Sequence, residues 1–93
     1  PTVEGVRELA IATDPVFAEA VARWDIKVGE DWRGAPAVFV VVVFRDDAIR
    51  RVWPQHEAFR RKLLDRLYEQ LPDDYIAYLT FSAESEALDP DRP

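Results

Sequence analysis

The segment Ala37–Phe44 constrains the fold of this chain more than any other. It reads Ala-Val-Phe-Val-Val-Val-Val-Phe, and seven of its eight residues are β-branched or aromatic. Such side chains lose rotamer freedom in a helix and pack well on a pleated surface, so the segment is predicted to form a strand. Successive side chains alternate between the faces of a sheet, so both faces of this strand are apolar. The rest of the chain, or another molecule, must therefore cover both faces.

The segments before this strand predict two helices and a shorter strand. Thr2–Ala12 has weak helical spacing, and Asp14-Pro15 is a typical helix start, because Asp caps free amides and Pro fits the first helical position. This second helix is predicted to continue to Arg23 or Trp24, since apolar residues recur at helical intervals: Phe17, Ala20, Val21 and Trp24. A strand at Asp25–Val28 and a loop at Gly29–Pro36 then form a wide hairpin with the central strand.

The segments after the central strand predict a helical crossover and a third strand. Ile49, Val52 and Trp53 have helical spacing, and the helix Gln55–Gln70 carries an apolar stripe at four-residue intervals: Phe59, Leu63, Leu67 and Leu71. Tyr75–Phe81 is predicted to be the third strand. Two strands joined through a helix are parallel when they are neighbours in one sheet.

These elements predict one α+β domain covering residues 1–93. Its fold is a small three-stranded mixed sheet with helices on one face, in α-β-β-α-β order. Residues 82–93 are predicted to be a flexible acidic tail, because they carry four acids, two prolines and one large apolar residue. The helices leave the second face of the sheet open, and burial of that face predicts a homodimer, or a complex with the cognate partner when one is present. The alternative is that Thr2–Ala12 folds across the open face.

Charge and composition narrow the function. The net charge is −6, and the segment Arg45–Arg66 holds seven basic and four acidic residues, so the rest of the chain sums to −9. An acidic chain is a poor general binder of nucleic acid and suits a protein partner with a basic surface. The longest apolar run is too short to cross a bilayer, and no signal segment is evident, so the expected location is the cytoplasm.

The hairpin loop holds the best candidates for partner binding. A tryptophan in a polar, glycine-bounded loop either folds back on the core or serves as an anchor, and Trp and Arg are enriched in binding hot spots. Both alternatives remain open for Trp32. The candidate residues for partner binding are Glu30, Asp31, Trp32, Arg33 and Trp53.

The remaining candidate residues give little indication of catalysis or of metal or cofactor binding. His56 is the only histidine, and Glu57 is not expected to reach it, because adjacent helical residues point in different directions. The acidic pairs at element ends are typical of turns and caps, and no glycine-rich phosphate loop exists, so no metal or cofactor is predicted. A candidate basic patch consists of Arg50, Arg51, Arg60, Arg61 and Lys62, and its alternative is a solvated helix face balanced by Glu57 and Asp65.

Two resemblances extend this picture. The run Val28–Val40 (Val-Gly-Glu-Asp-Trp-Arg-Gly-Ala-Pro-Ala-Val-Phe-Val) and the Tyr-x-x-Phe-x-x-x-Ser-Glu pattern of Tyr78–Glu86 resemble small bacterial proteins encoded beside HEPN-type, toxin-like proteins. This resemblance implies partner binding and no catalytic residues. The order of elements resembles the class-II KH-like arrangement of ribosome-binding factor A and BolA-type proteins, but this chain lacks the Gly-x-x-Gly loop.

Two function classes follow from these observations. The first is a non-catalytic interaction protein, antitoxin-like or adaptor-like, that binds a protein partner. The second is a KH-like nucleic-acid module that uses the Arg50–Arg66 face. An enzyme is the least favoured class, because no catalytic constellation is present.

Overall fold

The computed structural model describes residues 1–87, and its elements confirm the predicted α+β class and the order of helices and strands. Its helices are α1 (Val3–Thr13), α2 (Pro15–Ala18), α3 (Ile49–Val52), α4 (His56–Gln70) and α5 (Glu84–Ala87). Its strands are β1 (Val21–Glu30), β2 (Pro36–Phe44) and β3 (Ile76–Ala83). A single 3₁₀ turn at Trp53–Gln55 separates α3 from α4, because Pro54 cannot donate a backbone hydrogen bond.

The strands form one mixed sheet in the order β1-β2-β3. The hairpin strands β1 and β2 are antiparallel, with Trp24 opposite Val42 and Gly29 opposite Ala37. The strands β2 and β3 are parallel, with Phe39 opposite Tyr78. The apolar segment Ala37–Phe44 is therefore in the central strand, and the helical crossover places β3 parallel to it.

The two faces of the sheet are covered unequally. Helices α1 and α4 pack on one face, where the core contains Val6, Ala10, Phe17, Val38, Val40, Val42, Phe44, Phe59, Leu63, Leu67 and Leu79. We call the other face the open face. It consists of Arg23, Asp25 and Lys27 from β1, Phe39 and Val41 from β2, and Tyr78 and Thr80 from β3. Helix α1 belongs to the covered side, so the alternative that Thr2–Ala12 folds across the open face is wrong.

The open face is less apolar than the sequence suggests. Ala37 and Val43 also point to this side, yet both are fully buried, and Phe39 and Val41 are half-buried. The β1 part of the face is a row of charged residues. The exposed apolar area is therefore concentrated on the central strand and beside it.

The boundary between α2 and β1 differs from the prediction. The helix ends at Ala18, and β1 begins at Val21, so the predicted helix to Arg23 or Trp24 and the predicted short strand are both wrong in their bounds. A register shift between Val21 and Arg23 explains the helix-like spacing. This bulge lets Val21 and Trp24, three residues apart, both pack against the core.

The end of the chain also differs in part. Ser82 and Ala83 belong to β3, and Glu84–Ala87 forms a short helix whose Ser85 N–H donates to the Asp46 carboxylate (3.2 Å). The first half of the predicted flexible tail is thus ordered against the sheet. Residues 88–93, the rest of that prediction, lie outside the described residues. Among residues 1–87, no helix combines the length and the apolar character of a membrane span.

Candidate partner-binding site

The loop between β1 and β2 is built around one buried carboxylate. Asp31 is 7% exposed, and its Oδ1 accepts hydrogen bonds from the backbone N–H groups of Arg33 (2.9 Å) and Ala35 (3.0 Å). Its Oδ2 accepts from the Tyr78 hydroxyl (2.9 Å) and from the Arg33 guanidinium (3.2 Å). A short polar side chain that bonds to the backbone two residues ahead fixes a turn.

The backbone of this loop is closed by two further hydrogen bonds. The Asp31 N–H donates to the Ala35 carbonyl (2.9 Å), and the Gly34 N–H donates to the Asp31 carbonyl (3.0 Å). Gly34 has a φ of 80°, a conformation that residues with a Cβ rarely adopt. The glycine-bounded loop of the sequence is therefore a specific tight turn, and Gly34 is the residue that permits it.

Trp32 sits at the tip of this turn and faces solvent. It is 77% exposed, so it does not cap the core, and the first of its two alternatives is wrong. Its ring lies 5.4 Å from the Tyr78 ring, and the Arg33 guanidinium lies 5.7 Å from the centre of the Trp32 ring. The turn thus presents a large aromatic ring and a cation together on a backbone that two hydrogen bonds to the Asp31 carboxylate and two backbone hydrogen bonds hold in place.

Tyr78 joins the loop to the open face. Its ring stacks on Phe39 at 5.1 Å, with an angle of 13° between the rings, while its hydroxyl reaches Asp31. Phe39 and Tyr78 were not among the residues selected from the sequence. Their pairing follows from the parallel register of β2 and β3, which apolar spacing alone does not fix. The site therefore consists of Asp31, Trp32, Arg33, Phe39 and Tyr78, and we call it the aromatic corner.

The electrostatics of the aromatic corner follow from these contacts. Burial raises the pKa of Asp31, but the hydrogen bonds from Arg33, Tyr78 and Ala35 lower it more strongly, so the pKa falls to about 2. The hydrogen bond to Asp31 raises the pKa of Arg33. Burial and the same carboxylate raise the pKa of the Tyr78 phenol. At neutral pH the corner therefore holds a carboxylate, a guanidinium and a neutral phenol.

The other candidates for partner binding lie apart from Trp32. Glu30 is exposed at the end of β1, next to the aromatic corner. Trp53 is 45% exposed, but it follows the opposite end of β2, and a nine-residue strand spans about 30 Å. The Trp53 ring stacks on His56 at 3.7 Å and meets Phe81 edge-on at 6.3 Å. The structure therefore does not join the two tryptophans into one site.

His56 contacts the side chain that was expected to be out of reach. Its Nε2 lies 3.0 Å from Glu57 Oε1, and its Nδ1 lies 2.6 Å from the Trp53 carbonyl oxygen. The expectation was wrong because the glutamate side chain is long enough to bend back over the first turn of the helix. Each ring nitrogen thus has an oxygen of this helix start within hydrogen-bond distance, and no group of three or more potential metal ligands occurs within residues 1–87.

The basic residues do not form one continuous patch. Arg60 and Arg61 line a hollow with Glu57 and Asp65, whereas Arg50 lines another hollow with Trp53 and Glu86. Lys62 Nζ lies 3.7 Å from Asp14 Oδ2, and Arg51 is exposed on α3. Arg60 also donates to the Leu79 carbonyl (2.7 Å) and lies over the Phe81 ring at 4.8 Å. Arg60 and Lys62 thus each have a carboxylate within 4 Å, and Arg50 and Arg61 each line a hollow that an acidic residue also lines.

Comparisons of this chain with protein-family models, with curated proteins and with solved structures gave no match.

Proposed function

We propose that this protein is a non-catalytic interaction protein, antitoxin-like or adaptor-like, that binds a protein partner through the aromatic corner. The observation that supports it most is the 77% exposure of Trp32 on a turn whose backbone is held by the Asp31 carboxylate. Binding energy concentrates in a few aromatic and arginine residues. A side chain held in its bound geometry loses little conformational freedom when the partner arrives.

The chemistry of the partner follows from the surface around the corner. Phe39, Val41 and Tyr78 extend the apolar area from Trp32 across the open face, so the partner offers an apolar groove. The net charge of −6 favours a partner with a basic surface, because long-range attraction accelerates encounter. Such a pairing suits a small cytoplasmic protein that covers a functional surface of a larger basic one.

The first test is truncation of the anchor. With the partner identified by capture and then purified, Trp32→Ala should weaken the affinity at least about tenfold, as the loss of a hot-spot side chain does. The melting temperature should change little, because the ring is exposed. Calorimetric titration gives the affinity, and thermal unfolding gives the stability.

The matched control for this test is Trp53→Ala, which removes a tryptophan at the other end of the sheet. It should leave the affinity within about twofold, well below the loss of a hot-spot side chain. Equal affinity of the Trp32→Ala and wild-type proteins, or equal losses in both tryptophan variants, would reject the aromatic corner as the binding site.

A second copy of the chain is the other possible occupant of the open face, and the sequence predicts a homodimer there. A protein partner is the better-supported occupant, since the bare apolar area is small and a charged row borders it. Thr80→Lys places a charge on the exposed centre of β3 in this face. It should weaken the partner complex about tenfold or more while leaving the fold intact.

The alternative function is a KH-like nucleic-acid module on the Arg50–Arg66 face. An acidic chain with divided basic residues supports weak binding at most. Electrophoretic titration with mixed RNA at ~0.15 M salt should therefore show no complex below micromolar protein. A submicromolar, salt-sensitive complex that disappears on reversing Arg60 and Arg61 would favour the alternative instead.

A further inference from the structure

The two outer edges of the sheet differ in how their backbone groups are satisfied. On the outer side of β3, the Ala77 N–H donates to the Tyr68 hydroxyl (3.0 Å), and the Leu79 carbonyl accepts from Arg60 (2.7 Å). Both side chains come from α4, which thus protects this edge against a further strand. On β1, no side chain among residues 1–87 hydrogen-bonds to the backbone of Val21–Glu30.

The register identifies which groups of β1 face outward. The backbone groups of Ala77 and Leu79 point away from β2, so the backbone groups of Tyr78, between them, bond to β2. In a parallel pair, the two residues that Tyr78 bonds to are those on either side of Phe39, the residue opposite Tyr78. Phe39 then points its own backbone groups toward β1, where it is opposite Lys27. Between Arg23 and Gly29, alternation along β1 leaves three residues with unpaired outward N–H and C=O groups: Trp24, Ile26 and Val28.

We propose that β1 pairs antiparallel with β1 of a second copy, about a two-fold axis at Ile26. Ile26 then faces Ile26 of the second copy in a hydrogen-bonded pair, and Trp24 faces Val28 of the second copy. Every outward backbone group of these three residues gains a partner, and the two sheets become one continuous sheet. This interface lies on the edge, so it leaves the open face free for the partner proposed above.

Charge complementarity selects this register. With the axis at Ile26, Asp25 lies directly opposite Lys27 of the second copy, and the same contact repeats across the axis. Lys27 forms no ion pair within residues 1–87, whereas Asp25 already accepts from Arg23 (2.9 Å). An axis at Asp25 would oppose two carboxylates and bring Arg23 against Lys27, and an axis at Lys27 would oppose two ammonium groups. An axis at Trp24 would also match charges, but it would pair only Val21–Lys27.

The covered side of the strand is self-complementary in the same register. Trp24, Ile26 and Val28 pack against the core, yet all three remain half-buried at the edge of the sheet. Pairing two copies places the half-buried rows side by side, which removes further apolar area from water. A second copy therefore satisfies the backbone, the charges and the apolar row at once, and this is why we favour it over an unrelated strand.

The test uses two single charge reversals in the full chain. Wild-type protein at roughly 100 µM should have twice the 10.7 kDa mass of one chain by sedimentation or light scattering. Asp25→Lys and Lys27→Asp each create two like-charge contacts and should each weaken dimerisation at least about tenfold. An equimolar mixture of the two variants restores both attractive contacts, so it should form a heterodimer, and the double variant Asp25→Lys/Lys27→Asp should dimerise alone.

The controls separate this edge from the other possible surfaces. Thr80→Lys lies on the open face and should leave the dimer unchanged, whereas loss of the dimer in this variant would place the second copy on the open face and overturn the proposal. Lys27→Asp separates the registers, because an axis at Trp24 leaves Lys27 without a charged partner. A wild-type monomer at this concentration, or a mixture of variants that stays monomeric, also overturns the proposal. Circular dichroism should show that the variants remain folded, since Asp25 and Lys27 are exposed.

Discussion

Phe59→Ala should lower the free energy of unfolding by about 3–5 kcal/mol, the largest effect that we expect from a single substitution in this chain. Phe59 is 2% exposed, and its ring stacks on Phe17 with centroids 4.0 Å apart. Trp24 and Phe81 lie 6.3 Å and 6.4 Å from it. The ring therefore joins α2, α4 and two strands, and its removal leaves a cavity that none of these elements can fill alone.

Such a loss is a large fraction of the net stability of the folded domain. A domain of this length has a net stability of roughly 5–14 kcal/mol. Urea unfolding should show a lower midpoint with an unchanged slope, because the surface exposed on unfolding stays the same. The control is Arg66→Ala, an exposed residue of the same helix, which should change the stability by less than about 0.5 kcal/mol. A loss below about 1 kcal/mol for Phe59→Ala would contradict the stacked arrangement.

The sequence predicts the fold well where a pattern has a single physical solution. The β-branched run of β2 favours a strand, and the four-residue apolar repeat of α4, with charged residues at the positions midway between, favours a helix. The helix between β2 and β3 makes these strands parallel if they are neighbours, and the structure confirms the parallel pairing.

Prediction from the sequence fails where a helix and a bulged strand give apolar residues the same spacing. Phe17, Ala20, Val21 and Trp24 have helical intervals, but a bulge in a strand also places residues three apart on one face. The ladder of nine residue pairs with β2 decides between them, and a single sequence does not show that ladder. A long-range pairing thus overrides a local preference.

The candidate site was predicted only in part for a related reason. Trp32 and Arg33 are local to one loop, and their glycine and aspartate neighbours mark a turn. Phe39 and Tyr78 join the site through strand register, and the anchoring role of Asp31 requires a hydroxyl 47 positions away. Trp53 was grouped with them because tryptophan favours interfaces, yet chain topology places it at the far end of the sheet.

Asp31→Asn should destabilise the protein at neutral pH, and the difference from wild type should vanish in acid. The pKa of Asp31 falls from 3.8 to about 2 in the folded state, because the hydrogen bonds of the turn outweigh the effect of burial. A carboxylate whose folded pKa is lowered contributes stability above its unfolded pKa, and that contribution is lost as the pH falls through the folded value. The amide of Asn turns N–H donors toward the donors of Arg33 and Tyr78, so it cannot replace the carboxylate.

The measurement is the melting temperature of both proteins between about pH 2 and pH 7. The difference in melting temperature between the two proteins should be constant above about pH 5, become smaller below about pH 4 and nearly vanish at about pH 2. The other carboxylates titrate equally in both proteins, so they do not contribute to this difference. Glu30→Gln, the exposed neighbour, should change the melting temperature little across the range.

Tyr78→Phe adds an independent check on the Asp31 prediction, because it removes one donor to Asp31 and keeps the ring that stacks on Phe39. With one hydrogen bond fewer, the folded pKa of Asp31 should rise toward its unfolded value, so the acid loss of stability should be smaller than in wild type and complete at a higher pH. The same variant tests the turn as a support for Trp32, since a looser turn should weaken partner binding without removing the anchor.

A difference in melting temperature between wild type and Asp31→Asn that is equal at neutral and acid pH would show that the carboxylate does not hold this turn.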